Sequence, residues 1–463
     1  MRKRYPAVSS VLAYTAHPPE DHRVQTTTTQ FDVIVVGRRF AGLLTAALLA
    51  RAELRVGVID FDAPEPPTTS PILGLHSASI VRRVLDACGL WLDVRARLSA
   101  RPSAVSVALP DRRFRLEPNL EARGRELGLG FADAREEMLA LMERVAGYGG
   151  GLDALLASDV PLPPSGFAER RAVTRALREV SATQLVDEPR RWTEHRALRG
   201  FVGAALAVAG RDDDPDGPMS PGGVRAVWHV CHGVYAARDP AAQPDPWAAM
   251  ESAAVIRCAA HGVVVEERRR TSGAALEGDL FELRLGRGSR WRSAALVVDL
   301  DDHRLQALFG LEVDPANEAA VALEVDSPRP TRPRPFAAPL GWVPGPGSRG
   351  YLVTEAPAYR GDAALRVSAT ASIVTQPWPS DLIPCEWPGR EVAVAPSPPV
   401  GERPPLGLFR ALPRKVPARV LRVGAWSAPG LGLESHALTA HQAARRVERQ
   451  VRGSSLLGFL RSP

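Results

Sequence analysis

Lysine is almost absent from this 463-residue sequence: of 58 basic residues, all but Lys3 and Lys415 are arginine. The net charge of +6 is therefore spread along the chain in arginines interleaved with 52 acidic residues. Nucleic-acid binding needs a basic stripe with stacking aromatics or a recognisable module; neither is present, so no nucleic-acid partner is expected. Cysteine is scarce as well. Cys88, Cys231, Cys258 and Cys385 stand far apart with no C-x-x-C pair, which argues against a zinc knuckle or a disulfide framework and points to a reducing cytoplasm. Long apolar runs are missing: the most apolar stretch, FVGAALAVAG at 201–210, is about half of the ~20 residues a membrane-spanning helix requires. No span is expected, while peripheral membrane contact stays open. Residues 1–30 start basic, never develop the apolar run of a signal peptide and read as a disordered tail.

Hydrophobic residues make up 45% of the chain, enough for sizeable cores in two or three packed units. FDVIVVG at 31–37 is a β-branched run ending at glycine, FAGLLTAALLARAEL suits a helix buried on several faces, and RVGVIDFD is a second strand. Near-continuous apolar strands of this kind belong to buried parallel sheets, so the unit predicts the start of a doubly wound sheet. From Ser70 to about Val208 the spacing is mainly helical, interrupted by a hairpin in AVSVALPDRRFRLEP. GRDDDPDGPMSPGG at 210–223 reads as a loop. Helix, strand, hairpin and core strand follow to Asp302, then proline-rich connectors at 326–347 and 395–406 around a sheet, and finally a strand, a glycine loop and a long helix.

The first unit carries what a dinucleotide requires. Gly37 allows the tight turn at the strand end, Gly42 lets helix pack on strand, and Asp60, at the end of the second strand, can accept hydrogen bonds from a ribose. With these residues the sequence resembles the phytoene desaturase and flavin amine oxidase group of FAD-dependent oxidoreductases. Three later stretches are similar to that group: HGVYAARDPAAQPDPWAAMESAAVIRCAAHGVVVEE, SAALVVDLDDHRLQALFG and RVGAWSAPGLGLESHALTAHQAARRVE. The resemblance implies an α/β protein with a Rossmann-like FAD/NAD(P)-binding domain built from 31–69, 224–310 and 411–455. An inserted α+β substrate domain would comprise 70–223 and 311–410. It further implies FAD held by Gly37, Arg38, Arg39, Gly42, Asp60, Gly424, Gly430 and Gly432, and a small apolar or amine substrate oxidised by hydride transfer to the flavin. It assigns no catalytic side chain.

The departures from that pattern cluster at the cofactor. Arg39 stands at the second glycine, FDAPEPPTTS at 61–70 has neither arginine nor glycine, DPAAQPD follows Tyr235 where a glycine pair is expected, and Ala425 follows Gly424 in place of an acid. Two readings of Arg38 and Arg39 stay open: they clamp a phosphate at the helix N-terminus, or Arg39 fills the diphosphate space, paired with Asp60 or Asp62. The second would leave a non-catalytic flavoprotein fold serving as a binding or assembly component. His229, Cys231 and His232 in WHVCH do not align on one face of a strand or of a helix, and read as a packed core strand rather than a metal site. Asp299, Asp301 and Asp302 read as a solvated strand end. Glu434, His436 and His441 would lie near the flavin, His441 on a helix surface and His436 as a candidate for substrate contact. No Ser/His/Asp arrangement is recognisable.

Overall fold

The computed structural model of the chain describes residues 28–61, 73–99, 105–108, 113–116, 120–164, 166–179, 193–208, 220–232, 246–311, 321–326, 340–344, 350–355, 364–368, 389–393, 408–409, 412–413, 415–417 and 419–459. The first expectation is met with one change: β1 (Thr28–Val36) begins inside the stretch read as tail. Helix α1 (Phe40–Arg51) follows, then β2 (Val56–Phe61). Nine of the residues of α1, from Phe40 to Leu49, are buried, as a helix apolar on every side must be.

The helical block contains α2 (Ser79–Ala87), α3 (Trp91–Ser99), the hairpin β3 (Val105–Ala108) and β4 (Arg113–Leu116), α4 (Leu120–Gly130), α5 (Arg135–Leu156), α6 (Phe167–Glu179) and α7 (Arg196–Val208). Helix α8 (Pro221–His232) comes next, in place of the core strand expected for WHVCH. Its start also lies inside the expected 210–223 loop. Proline at a first helical position loses no hydrogen bond there, and Ser220 Oγ accepts from Gly223 N–H at 3.0 Å, so the turn is capped locally. Val224, Val227, Val230 and Cys231 of α8 pack on Met138, Leu141 and Val145 of α5 and Phe201 and Leu206 of α7.

Helix α9 (Pro246–Ala260), β5 (Val264–Glu277), β6 (Leu280–Leu285), β7 (Arg290–Val298) and α10 (Asp302–Leu308) return to the first sheet. Five further strands, β8 (Val321–Asp326), β9 (Leu340–Pro344), β10 (Gly350–Glu355), β11 (Ala364–Ser368) and β12 (Gly389–Ala393), join β3 and β4 in a second sheet, ordered β12-β8-β11-β10-β9-β3-β4. The chain then adds β13 (Val420–Arg422) and α11 (Leu433–Phe459).

In the first sheet β1 is central and pairs in parallel with β2 on one side (Val33↔Val56) and β7 on the other (Val33↔Ala295). Beyond them lie β5, parallel to β2, and β13, parallel to β7. The outer half of β5, β6 and the first half of β7 form an antiparallel meander. The chain thus leaves β1 toward β2 and reaches β7 only after more than two hundred residues. Strand order reverses beside β1, and such switch points leave a crevice at the carboxyl ends of the strands.

Candidate functional site

Backbone hydrogen bonds carry the sheet past its last paired residues and draw the strand ends together. Gly37 N–H donates to Ile59 O, Asp299 N–H to Val36 O and Val423 N–H to Val298 O, each at 2.9 Å. Gly37 has φ +103°, and a Cβ there would lie 2.7 Å from Asp299 O; at Gly42 it would lie 2.6 Å from Gly37 O. Close backbone approach, not turn propensity alone, demands glycine at both positions. At Gly424, with φ +82°, a Cβ would run into the Asp299 carboxylate. Gly37, Gly42, Asp299 and Gly424 therefore share one point at the N-terminus of α1, although the last lies near the other end of the chain.

Asp299 corrects an expectation. It is not a solvated strand end but 1% exposed, and its Oδ2 accepts from Gly42 N–H at 3.0 Å. The reason lies in α1, whose N-cap residue Arg39 makes no capping bond and whose first turn holds no acid. A helix start leaves N–H groups without intrahelical partners, and a carboxylate there satisfies one and complements the helix dipole. The other two acids are also separately engaged. Asp301 caps α10 by accepting from Arg304 N–H at 2.7 Å, and Asp302 pairs with Arg422. The described residues contain no group of three His, Cys, Asp or Glu placed to hold a metal.

Asp60 accepts from the Arg38 N–H at 2.8 Å, with Arg38 Nε 3.5 Å from its other oxygen and Glu267 3.9 Å from the same guanidinium. The expected pairing of Arg39 with Asp60 is thereby replaced by Arg38; Asp62 lies outside the described residues. Asp60 keeps 28% of its side chain exposed, and a carboxylate has about four acceptor sites, so it retains room for ribose hydroxyls. Arg39 sits at φ −83°, ψ 169°, which any L residue adopts. The arginine consequently strains nothing in the backbone.

His436 of α11 lies on the same side. Its ring is 6.1 Å from Phe40 and 4.8 Å from Trp247, only 8% of the residue is exposed, and its Nδ1 has no hydrogen-bond partner. Burial, followed by the charge of Arg39, pushes its pKa down to about 3, so the imidazole is neutral. His441 is partly covered rather than on an open helix surface, its side chain 12% exposed and 3.6 Å from Asp159.

The glycine loop ends against residues that sequence reasoning did not connect to it. Leu433 N–H, at the start of α11, donates to Leu73 O at 2.8 Å, and a Cβ on Gly432 would lie 2.7 Å from Leu73 Cβ. Behind this contact is a polar network that joins three distant segments. His229 Nε2 is 2.6 Å from Glu434 Oε2, and Ser77 Oγ is 2.8 Å from His229 Nδ1. Burial lowers the His229 pKa, with the charge of Glu434 opposing, so the ring is neutral. Its Nε2–H then donates to the carboxylate, and Nδ1 accepts from Ser77 O–H.

Arg225 donates to Glu434 through Nε at 2.8 Å and Nη2 at 2.6 Å, to Asp153 at 2.6 Å and to Gly149 O. Burial would raise the Glu434 carboxyl, but Arg225 and His229 override it and hold it at about 2. Ser77, His229 and Glu434 thus stand in the order of a proton relay. His229 and Glu434 are fully buried, however, and Ser77 9% exposed, so every donor ends on a protein acceptor and the arrangement is a lock between α8 and α11. The signal available in the sequence was a charged residue inside the apolar run PGGVRAVWHVCH, which must find an acid if that run is buried.

Gly430, with φ +83°, lies in the same loop as Gly424 and Gly432. Residues 62–70, Tyr235 and the DPAAQPD stretch, where sequence departures were noted, lie outside the described residues. No described helix is long and apolar enough to cross a membrane.

No protein-family model matches the sequence, and no curated protein matches it. Among solved structures, the chain is similar to an oxidoreductase from Methanosarcina mazei, with a TM-score of 0.51 and 12% identity over 90% of this chain and 100% of that one. A putrescine oxidase double mutant gives a TM-score of 0.47 at 11% identity, over 92% of this chain and 100% of that one. A geranylgeranyl bacteriochlorophyll reductase-like protein from Thermoplasma acidophilum gives 0.45 at 10% identity, over 92% and 80% respectively. The fold is a mixed α/β, Rossmann-like architecture, shared with that Methanosarcina mazei oxidoreductase.

Proposed function

We propose that the chain binds FAD at the α1 N-terminus and acts in the cytoplasm as an FAD-dependent oxidoreductase on an apolar or amine substrate, like the phytoene desaturase and amine oxidase group. The observation that carries this reading is the meeting of Gly37, Gly42 and Gly424 around one helix N-terminus, with Asp60 beside it on the next strand end. The adenosine diphosphate half of the cofactor fits the residues present: α1 offers the Phe40 and Ala41 N–H groups of its first turn, Gly42 N–H being held by Asp299, while Arg38 and Arg39 offer positive charge and Asp60 keeps acceptor capacity for a ribose. Gly424, Gly430 and Gly432 would line the flavin end. When bound, the flavin supplies hydride acceptance. The chain's own part is to orient and exclude water, and His436 contributes a neutral imidazole beside Phe40.

A second reading, a fold kept as a non-catalytic binding or assembly component, is favoured by one contact. The Leu433 N–H that would begin the flavin-facing turn is already bound to Leu73 O. The two readings separate on the purified full-length protein. Flavin absorbance bands, FAD released on denaturation, and bleaching of the flavin by candidate amines or polyenes under anaerobic conditions support the enzyme. Protein that carries no flavin and takes none up at high FAD concentration rejects it and leaves the second reading.

A further inference from the structure

His229 and His436 are both buried, but their rings are satisfied differently. Both nitrogens of His229 have partners, Ser77 and Glu434. Among the described residues, Nδ1 of His436 is enclosed and has no hydrogen-bond partner, whereas Nε2 is not so enclosed. The ring lies in an apolar slot, 4.8 Å from the Trp247 ring of α9 and 6.1 Å from that of Phe40, the first residue of α1. Trp247 and Phe40 are themselves buried, so an apolar side chain would fill this slot without leaving a polar atom unmatched. A polar ring held there is explained by something that its open edge binds.

The surroundings fix the tautomer. A neutral imidazole carries one N–H. Placed on Nδ1, that proton would be a buried donor with no acceptor; placed on Nε2, it reaches the edge left open, and Nδ1 keeps only an unused lone pair. Burial, followed by the charge of Arg39 at the α1 N-cap, holds the ring neutral. The acids nearby in the fold are engaged elsewhere, Glu434 with Arg225 and His229, and Asp299 with Gly42 N–H. His436 thus brings a neutral Nε2–H to the start of α1, where the first-turn N–H groups have no intrahelical partners. Donors that come from a backbone turn and from a ring on another helix require an acceptor with oxygens in several directions. A carboxylate offers two oxygens in one plane, a phosphoryl group a tetrahedral set.

We propose that His436 donates its Nε2–H to a phosphate oxygen of the ligand bound at the α1 N-terminus, and does so as a neutral ring before and after binding. The proposal rests on the reading of that terminus as the diphosphate site, and adds to it a ligand-binding residue from α11.

The test uses the full-length protein with adenosine diphosphate, inorganic diphosphate and adenosine, so that no flavin takes part. Both diphosphates are expected to bind saturably and adenosine far more weakly. Long-range proton–nitrogen spectra of protein with isotope-labelled histidines, the His436 signals being those lost in its variants, are expected to show the Nε2–H tautomer. Adding either diphosphate should move the Nε2 signal and leave Nδ1 unprotonated. His436→Phe keeps a flat ring in the slot and removes the donor, and should weaken both diphosphates by about tenfold, as for one hydrogen bond to a charged group. His436→Gln restores a side-chain N–H and should recover part of that loss. Diphosphate binding that leaves the His436 signals unmoved, an Nδ1–H tautomer, or undiminished affinity in His436→Phe would each overturn the proposal while the reading of α1 stands. If neither diphosphate binds the wild type, both fall. If both bind as expected and FAD does not, the flavin reading fails and the role of His436 stands.

Discussion

Arg225 and Glu434, separated by 209 residues, form a two-pronged ion pair in which neither side chain is exposed to solvent, Nε to Oε2 at 2.8 Å and Nη2 to Oε1 at 2.6 Å. It ties α8 of the helical block to the first turn of α11, where an acid also suits the helix dipole. Buried charges interact strongly but are costly to desolvate, so the informative quantity is the cost of removing one partner alone. Glu434→Gln should destabilise the fold by about 3 kcal/mol, because Arg225 is left with Asp153 as its one acid and the His229 hydrogen bond weakens. The double variant Arg225→Met with Glu434→Met should cost less than the sum of the singles, and denaturant unfolding of all three measures the coupling.

Acid should unfold this protein through the same residues. The folded pKa of Glu434 is held down at about 2, so its contribution to stability is present above the ordinary carboxyl range and is lost as pH falls from about 4.5 toward 2. His229 and His436 are also lowered, the latter to about 3, and for a histidine this means that the unfolded chain takes up protons first, below about 6.5. All three effects have one sign. Unfolding free energy should be flat between about pH 7 and pH 8, fall below about pH 6.5, well before carboxylates titrate, and fall again above about pH 9, where the buried thiols of Cys88, Cys231 and Cys258, raised to about 12, ionise first in the unfolded chain. His436→Phe should flatten the pH 4–6.5 part of that curve, and a curve that stays level to pH 5 in the wild type would contradict the buried neutral state of both rings.

Much of the first sheet was legible because its residues obey local rules. VIVV and VGVI are runs that only buried parallel strands favour, and Gly37, Gly42 and Asp60 have spacing set by one turn and one helix. WHVCH was misread as a strand because a short apolar segment has no period of its own; the charged Arg225 before it belonged to a helix face defined by Glu434, more than two hundred residues away. Asp299 escaped for a similar reason. Three acids in four residues look solvated, and only the position of β7 beside β1 shows that the first of them turns inward to Gly42.

Gly149 should be among the least replaceable residues of α5. A Cβ there would be driven into the Trp228 ring, which itself lies against the Arg225 guanidinium at 4.3 Å, and Gly149 O accepts from Arg225. Gly149→Ala gains helix propensity of roughly 1 kcal/mol but meets an overpacking cost of about 1–3 kcal/mol together with a displaced arginine. Net destabilisation and a lower Tm are expected. At Gly147 and Gly150, where a Cβ meets nothing within 4 Å, the same change should stabilise, and the contrast within one helix separates packing from propensity.

The α1 N-terminus offers the sharpest test of cofactor binding, because two side chains act there in opposite ways. Asp299 brings a carboxylate to the Gly42 N–H, which disfavours a second anion nearby, while Arg39 adds positive charge but occupies volume where a glycine would let a diphosphate approach the backbone. Asp299→Asn keeps an acceptor for Gly42 and removes the charge, so FAD affinity should rise by a few-fold, as expected for about 0.3–1 kcal/mol of helix-terminal electrostatics, at a similar cost in stability. Arg39→Gly should also tighten FAD binding, since its backbone conformation already suits any residue and the bulk removed from the diphosphate's approach outweighs the positive charge lost with it. Fluorescence titration of the wild type and both variants decides the matter. If Arg39→Gly binds FAD more weakly than the wild type, the guanidinium is a phosphate ligand and the steric argument fails. If Asp299→Asn leaves affinity unchanged while the wild type binds, the diphosphate sits elsewhere than at the turn bounded by Gly37 and Gly42.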